Sequence, residues 1–142
     1  VTMAYNPSST DGWRIVEADS DVRVGHSSCS ATFEGELVVV SGRPVEFACA
    51  AASFRFSTGP EKSEWYKGCW RQLPDLLDAR VGGSLAVVHG RLYVTGGVNE
   101  TTGQFQDNAE HLEGDRWVRI PWFKMPRALH AHDTCSLPFL YK

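Results

Sequence analysis

The chain has 142 residues, 42% hydrophobic and 22% charged, with a formal net charge of −3. That balance is typical of a folded globular domain, and its interspersed charges offer neither an electropositive footprint for nucleic acid nor a lysine cluster for an anionic membrane. The longest apolar stretches, 37–40 and 48–52, fall far short of the ~20 residues that a bilayer-spanning helix needs.

The opening residues, 1–4, lack the basic start and apolar core of a secretory signal. The expected compartment is the cytoplasm. The first element pair is marked by Tyr5-Asn6-Pro7 and then Trp13. Residues 1–20 are expected to supply the last two strands of a first four-stranded unit.

A second unit is expected over 21–74. It opens on Arg23 and His26 and continues with strands over 27–33 and 37–40, joined by the Glu34-Gly35 turn. The run Leu37-Val38-Val39-Val40 is β-branched and lacks alternation, as in strands covered on both faces. Short antiparallel hairpins closed by glycine turns account for this pattern. Two more strands follow over 51–56 and 69–73, the second ending at Pro74. Between them lies a six-residue insertion within 59–68 that should protrude.

The third unit, 75–121, repeats this order. Arg80 precedes strands over 84–88 and 92–94, with the His89-Gly90 turn between them and Gly96-Gly97 at the end. A long connection over 98–107 leads to strands over 108–112 and 116–120, closed by Pro121. Residues 122–142 begin a fourth unit with Arg127 and His130. No segment has an extended apolar pattern at helical spacing between caps, so the fold class is all-β.

The repeat itself has a ruler. Trp13, Trp70 and Trp117 are each followed ten residues later by Arg23, Arg80 and Arg127, and the tryptophans recur at 57 and then 47 residues. This brackets the ~50-residue period of a four-stranded propeller blade. His26 and His130 share the position three residues after the arginine, where Gly83 replaces them in the third unit. These features resemble the kelch repeat, over nearly the whole chain. The closest match runs from Trp70-Arg71-Gln72-Leu73-Pro74 through Leu92-Tyr93-Val94-Thr95-Gly96-Gly97 to Met125-Pro126-Arg127, while Ser41 and Leu112 depart from the pattern.

The resemblance implies kelch-type blades of four antiparallel strands in an incomplete ring, with about three blades' worth of strands. Blades left open expose hydrophobic edges, so the remaining blades are expected from additional sequence or from self-association. It also implies a non-catalytic protein-interaction scaffold, such as the substrate-reading part of a ubiquitin-ligase adaptor or a component of a cytoskeletal assembly. On one face, the loops before each first strand and after each second strand would gather Arg23, His26, Arg43, Arg80, Val98, Asn99, Phe105, Arg127 and His130 against a protein partner. Converging arginines favour an acidic peptide segment. On the other face, the insertion would present Trp65 and Tyr66, residue types common at binding hot spots.

Other chemistry finds less support. No cofactor is expected. Cys29, Cys49, Cys69 and Cys135 lack the spacing of a zinc site or a disulfide scaffold and are expected to be reduced and mostly buried. Asn99-Glu100-Thr101 fits a glycan acceptor only in a secreted chain. The alternative function is a metal-dependent kelch-propeller enzyme of oxidase or epimerase type, with catalytic residues outside this chain. His130 and His132, alternating on a strand near His26, would be its metal set here.

Overall fold

The computed structural model describes residues 3–8, 10, 12–18, 26–40, 51–58 and 66–135. All regular elements among them are β-strands. The first is a hairpin, β1 (Met3–Tyr5) paired antiparallel with β2 (Trp13–Ile15). Tyr5 lies directly opposite Trp13, their ring centroids 5.3 Å apart. Such tilted aromatic pairs stabilise a two-stranded ribbon that would be marginal alone.

The next sheet contains β4 (Cys29–Phe33), β5 (Glu36–Val40), β6 (Ser53–Thr58) and β7 (Lys67–Leu73), antiparallel in chain order. Its outer edge is extended by β3 (Glu17–Ala18), which pairs in parallel with Lys67 and Gly68. That fifth strand was not anticipated; the sequence carries no turn that would announce a parallel crossover. The third sheet has β8 (Ser84–Val88), β9 (Arg91–Thr95), β12 (Ala109–Glu113) and β13 (Arg116–Arg119), again four antiparallel strands in chain order. A small hairpin, β10 (Val98–Asn99) with β11 (Gln104–Phe105), projects between β9 and β12. The connection over 98–107 therefore has structure of its own.

Left-handed turns close the hairpins. Glu34 and His89 have φ of 53° and 47°, followed by Gly35 and Gly90 at 78° and 72°. Two successive positive φ values match the twist of flanking strands and draw them into register.

One core joins the two larger sheets. Phe33, Val38, Val40 and Leu73 pack in a single buried cluster with Leu85, Leu92, Val94, Leu112 and Trp117. Trp117, on outer strand β13, is 4% exposed, and its indole N–H donates to Ser53 Oγ of the preceding sheet at 3.0 Å. The wide gap between diverging sheets is thus filled by one large ring whose polar edge is satisfied. Trp70 is half-buried on Phe56, and Trp13 is 65% exposed.

The cysteines differ from expectation. Cys69 and Cys135 are exposed thiols and Cys29 is half-buried, while Cys49 lies outside the described residues. Cys69 stands on β7. Burial pushes the Cys29 thiol up to about 12, with Arg80 opposing the shift.

Candidate functional site

The strand sequence ending in Gly96-Gly97 positions everything on the loop face. Gly97 has φ of 89°, and a Cβ there would come within 2.9 Å of the Arg80 backbone. At Gly96 it would come within 2.6 Å of Leu129 O. Glycine is therefore required by close approach as well as by conformation.

Arg80 sits beneath this doublet with 0% exposure. Its Nε and Nη2 donate to Glu110 Oε1, each at 3.0 Å, and Nη1 donates to Gly96 O at 2.8 Å. Nη1 and Nη2 also donate to the backbone and side-chain carbonyls of Asn108. The Glu110 carboxylate, itself 0% exposed, accepts in addition from the backbone N–H of Leu77 and Asp78. A buried ion pair persists only when its remaining hydrogen-bonding capacity is met, as it is here. Arg80 consequently ties the loop before β8 to β9 and β12 and offers no guanidinium surface to a partner.

The marker arginines Arg80 and Arg127 are not structurally equivalent. Gly82 N donates to Ser27 O at 3.0 Å, and Ala131 N donates to Gly82 O at 2.7 Å. Ser27, Gly82 and Ala131 have φ of 56°, 66° and 50°. One position in three consecutive units thus forms a chain of hydrogen bonds along the inner strands. Arg80 lies two residues before Gly82, whereas Arg127 lies four before Ala131. The constant ten-residue spacing hides this offset. His26 and His130 align with Val81, not with Gly83, and Arg127 is exposed where Arg80 is buried.

Loops of neighbouring units do meet at one surface. Phe105, at the end of β11, is 50% exposed and places its ring 5.1 Å from that of His130, edge to face. Beside it, Gly97 N donates to Leu129 O at 2.7 Å, which anchors the incoming segment. Exposed Leu129 and Arg127 adjoin His130 in sequence. At the hairpin tip, Asn99 Oδ1 accepts from the N–H of Thr101 and Thr102, so its side chain closes the turn. Val98 is held by paired backbone bonds to Val81. His26 is exposed at the start of the second sheet, and Arg23, Arg43 and Trp65 lie outside the described residues.

His130 and His132 do not share a strand face. Ala131 between them is left-handed, which breaks the extended alternation. His132 instead turns back so that Nε2 lies 3.0 Å from Thr95 Oγ1, while its buried Nδ1 has no partner among the described residues. Burial lowers the His132 pKa, against the opposing pull of Asp133. Among the described residues there is no cluster of three or more His, Cys, Asp and Glu that could hold a metal ion. A cleft of about 340 Å3 lies against the inner strands, lined by Ser28, Cys29, Ser84, His132 and Asp133. Tyr66, on the opposite face, is half-buried beneath the Arg14 guanidinium, 5.3 Å from its ring centroid.

Comparison with known proteins matches this architecture. No family model matches the chain. Kelch-like protein 21 of Homo sapiens is 31% identical over 137 residues, which cover 96% of this chain and 20% of that protein. Kelch-like protein 23 of Mus musculus is 25% identical over 132 residues, covering 92% and 20%. Among solved structures, that of YjhT superposes with a TM-score of 0.63 at 18% identity, covering 87% of this chain and 34% of its own. These sheets are kelch-repeat propeller blades. The chain spans about a fifth of the length of these Kelch-like relatives. Among the described residues, no helix is long and apolar enough to cross a membrane.

Within the kelch blades, two features escaped the sequence reading. Trp122 is 83% exposed in the segment that leads from β13 into the next unit. Arg55, between Phe54 and Phe56 on β6, is only 9% exposed. A lone arginine inside an otherwise apolar strand was the available signal for the second.

Proposed function

We propose that this kelch segment is a non-catalytic protein-interaction module whose loop face receives a protein partner. The observation that carries the reading is the contact between Phe105 and His130, which merges loops of successive units into one exposed aromatic surface. Phe105, Leu129 and His130 supply the apolar and ring surface, and Arg127 supplies a cation for an acidic partner segment. Arg80 acts from beneath by fixing the glycine doublet on which the surface rests. A role as the substrate-reading part of a ubiquitin-ligase adaptor or in a cytoskeletal assembly is consistent with the Kelch-like relatives. The exposed apolar side chains Met3, Tyr5, Trp13 and Ile15 of the first hairpin suit an adjoining blade, supplied by further sequence or by a second copy.

The test is partner capture by the full chain, comparing wild type with a Phe105→Ala, Arg127→Ala, His130→Ala variant. The reading predicts that captured partners are lost while the melting temperature is unchanged. Unchanged capture would refute it, as would stoichiometric metal that depends on His130 and His132.

A further inference from the structure

The packing of the third sheet on the second is a template for two faces that the core cluster does not reach. Trp117 and Leu112 stand opposite one another on β13 and β12 and point back into the second sheet, where Trp117 is 4% exposed. The hairpin β1–β2 has the form of the last two strands of such a sheet: Trp13 stands opposite Tyr5, and Ile15 opposite Met3. These four side chains share one face, because residues two apart on a strand do. Trp13, Tyr5, Ile15 and Met3 are 65%, 53%, 61% and 54% exposed. Arg14, on the other face, lies over the Tyr66 ring beside β7, so the Trp13 face is turned away from the second sheet. A tryptophan at the position that elsewhere buries its ring between sheets, set among three more exposed apolar residues, marks a contact surface.

The matching surface is at the other end of the described sheets. Leu92, Val94, Leu112 and Trp117 turn toward the second sheet and its core, which leaves the alternate residues of the third sheet on the opposite face. There Ala86, Tyr93, His111 and Val118 form one row across all four strands, each directly opposite the next in register. All four are half-buried. The Tyr93 and His111 rings stack, with centroids 5.9 Å apart. In the second sheet the corresponding pair is Ala31 and Val38, and these are the residues that meet the third sheet, Val38 with 0% exposure. Ala109 stands at the register of Ser53, and the hydroxyl on this face comes from Thr95, directly opposite it. His132 on Thr95 and Thr134 on Ser84 cover the inner end of the face.

We infer that these two faces bind one another between two copies of the chain, head to tail, with Trp13 of each copy seated on the Tyr93–His111 row of the other. One occupant thereby covers both faces, and the contact continues the packing that already joins the second and third sheets. The faces differ, so the contact is heterologous and closes into a pair when each copy turns through half a ring. The tryptophan marker occurs three times in the chain, so two copies make a ring of about six blades, inside the propeller range of roughly four to eight. The association goes beyond the loop-face reading, which concerns Phe105, Arg127 and His130 and stands without it.

The probe is the full chain itself, followed by sedimentation velocity over a concentration series. The expected species is a dimer. Trp13→Arg, at an exposed position, should weaken it about tenfold or more. Tyr93→Asp should do the same, with Val118→Asp in the same row replacing it if that variant melts early. Mixing the Trp13→Arg and Tyr93→Asp chains is the decisive step. A head-to-tail pair of the two keeps one unaltered contact and brings the two new charges, opposite in sign, together at the other, so the mixture should form a heterodimer that neither variant forms alone. The Phe105→Ala, Arg127→Ala, His130→Ala variant should dimerise as the wild type does. The inference is overturned by a folded monomer at every concentration, by open-ended oligomers, or by a dimer indifferent to Trp13→Arg. It is overturned equally by a mixture in which the Tyr93→Asp chain pairs with itself alone, as a contact between two Trp13 faces would give. The loop-face reading is untouched by those outcomes.

Discussion

Trp117 of the third sheet and Ser53 of the second are joined by a hydrogen bond from indole Nε1 to Oγ at 3.0 Å, although they lie 64 residues apart. Ser53 Oγ in turn donates to Pro74 O at 3.0 Å, at the end of its own sheet. A single buried hydroxyl thus links an incoming tryptophan to the strand end that launches the next blade. Trp117→Ala should cost about 3–5 kcal/mol by leaving a cavity between sheets. Ser53→Ala should cost about 1–3 kcal/mol by stranding a buried indole N–H. Urea unfolding of the full chain measures both, and a loss below 1 kcal/mol for Trp117→Ala would mean that the sheets do not meet at this ring.

Arg80 is expected to behave as scaffold and Arg127 as surface. Arg80→Ala leaves Glu110 charged, buried and short of its partner, a change that typically costs about 3–5 kcal/mol. Arg80→Lys should recover little of this, because an ammonium cannot reproduce the fork that reaches Glu110, Gly96 and Asn108 together. Arg127→Ala should shift stability by no more than about 0.5 kcal/mol. Denaturant midpoints for the three variants decide the matter.

Stability should also rise as pH is raised through the window below 6.5. Burial holds the folded-state pKa of His132 below its ordinary value of 6.5, so in that window the unfolded chain binds the extra proton. The contribution of neutral His132 is fully present above about pH 6.5 and is lost as pH falls toward the lowered folded value. Replacing His132 by Gln should flatten this part of the profile. Melting temperatures at pH 5 and pH 7, for both proteins, supply the comparison.

Thiol labelling should separate the cysteines. The Cys29 thiol, raised to about 12 by burial, stays protonated at pH 8, whereas Cys69 and Cys135 are exposed. Reaction depends on the thiolate and on access. Mass spectrometry after brief alkylation should show modified Cys69 and Cys135 with Cys29 intact until denaturant is added.

Much of the fold was legible in the residues because the determinants are local. Glu34-Gly35 and His89-Gly90 force left-handed turns, the runs 37–40 and 92–94 are β-branched or aromatic, and Pro74 and Pro121 close the outer strands. The glycine doublet was legible too, since Gly96 and Gly97 answer a steric demand that other residues cannot meet. The parallel pairing of β3 and the β10–β11 hairpin were not, because neither has a hydrophobic alternation long enough to register.

The site was read less well for a physical reason. Spacing counts residues, whereas burial depends on where loops lengthen. A two-residue difference between the Trp70-to-Gly82 and Trp117-to-Ala131 connections moves Arg127 out of the position that Arg80 occupies. His130 and His132 alternate in sequence, yet one left-handed residue separates their directions. Phe105 and His130 were both expected on the loop face, but their direct contact depends on the hairpin that carries Phe105.

Native-state hydrogen exchange at the amides of Gly82 and Ala131 most directly tests whether consecutive units stack about a common axis. Those two N–H groups donate to Ser27 and Gly82 of the preceding unit, so the structure predicts slow exchange at both, together with a slowly exchanging Trp117 indole proton. Exchange at the rate of unstructured peptide at Gly82 and Ala131, in a chain whose β9 and β12 amides remain protected, would contradict it.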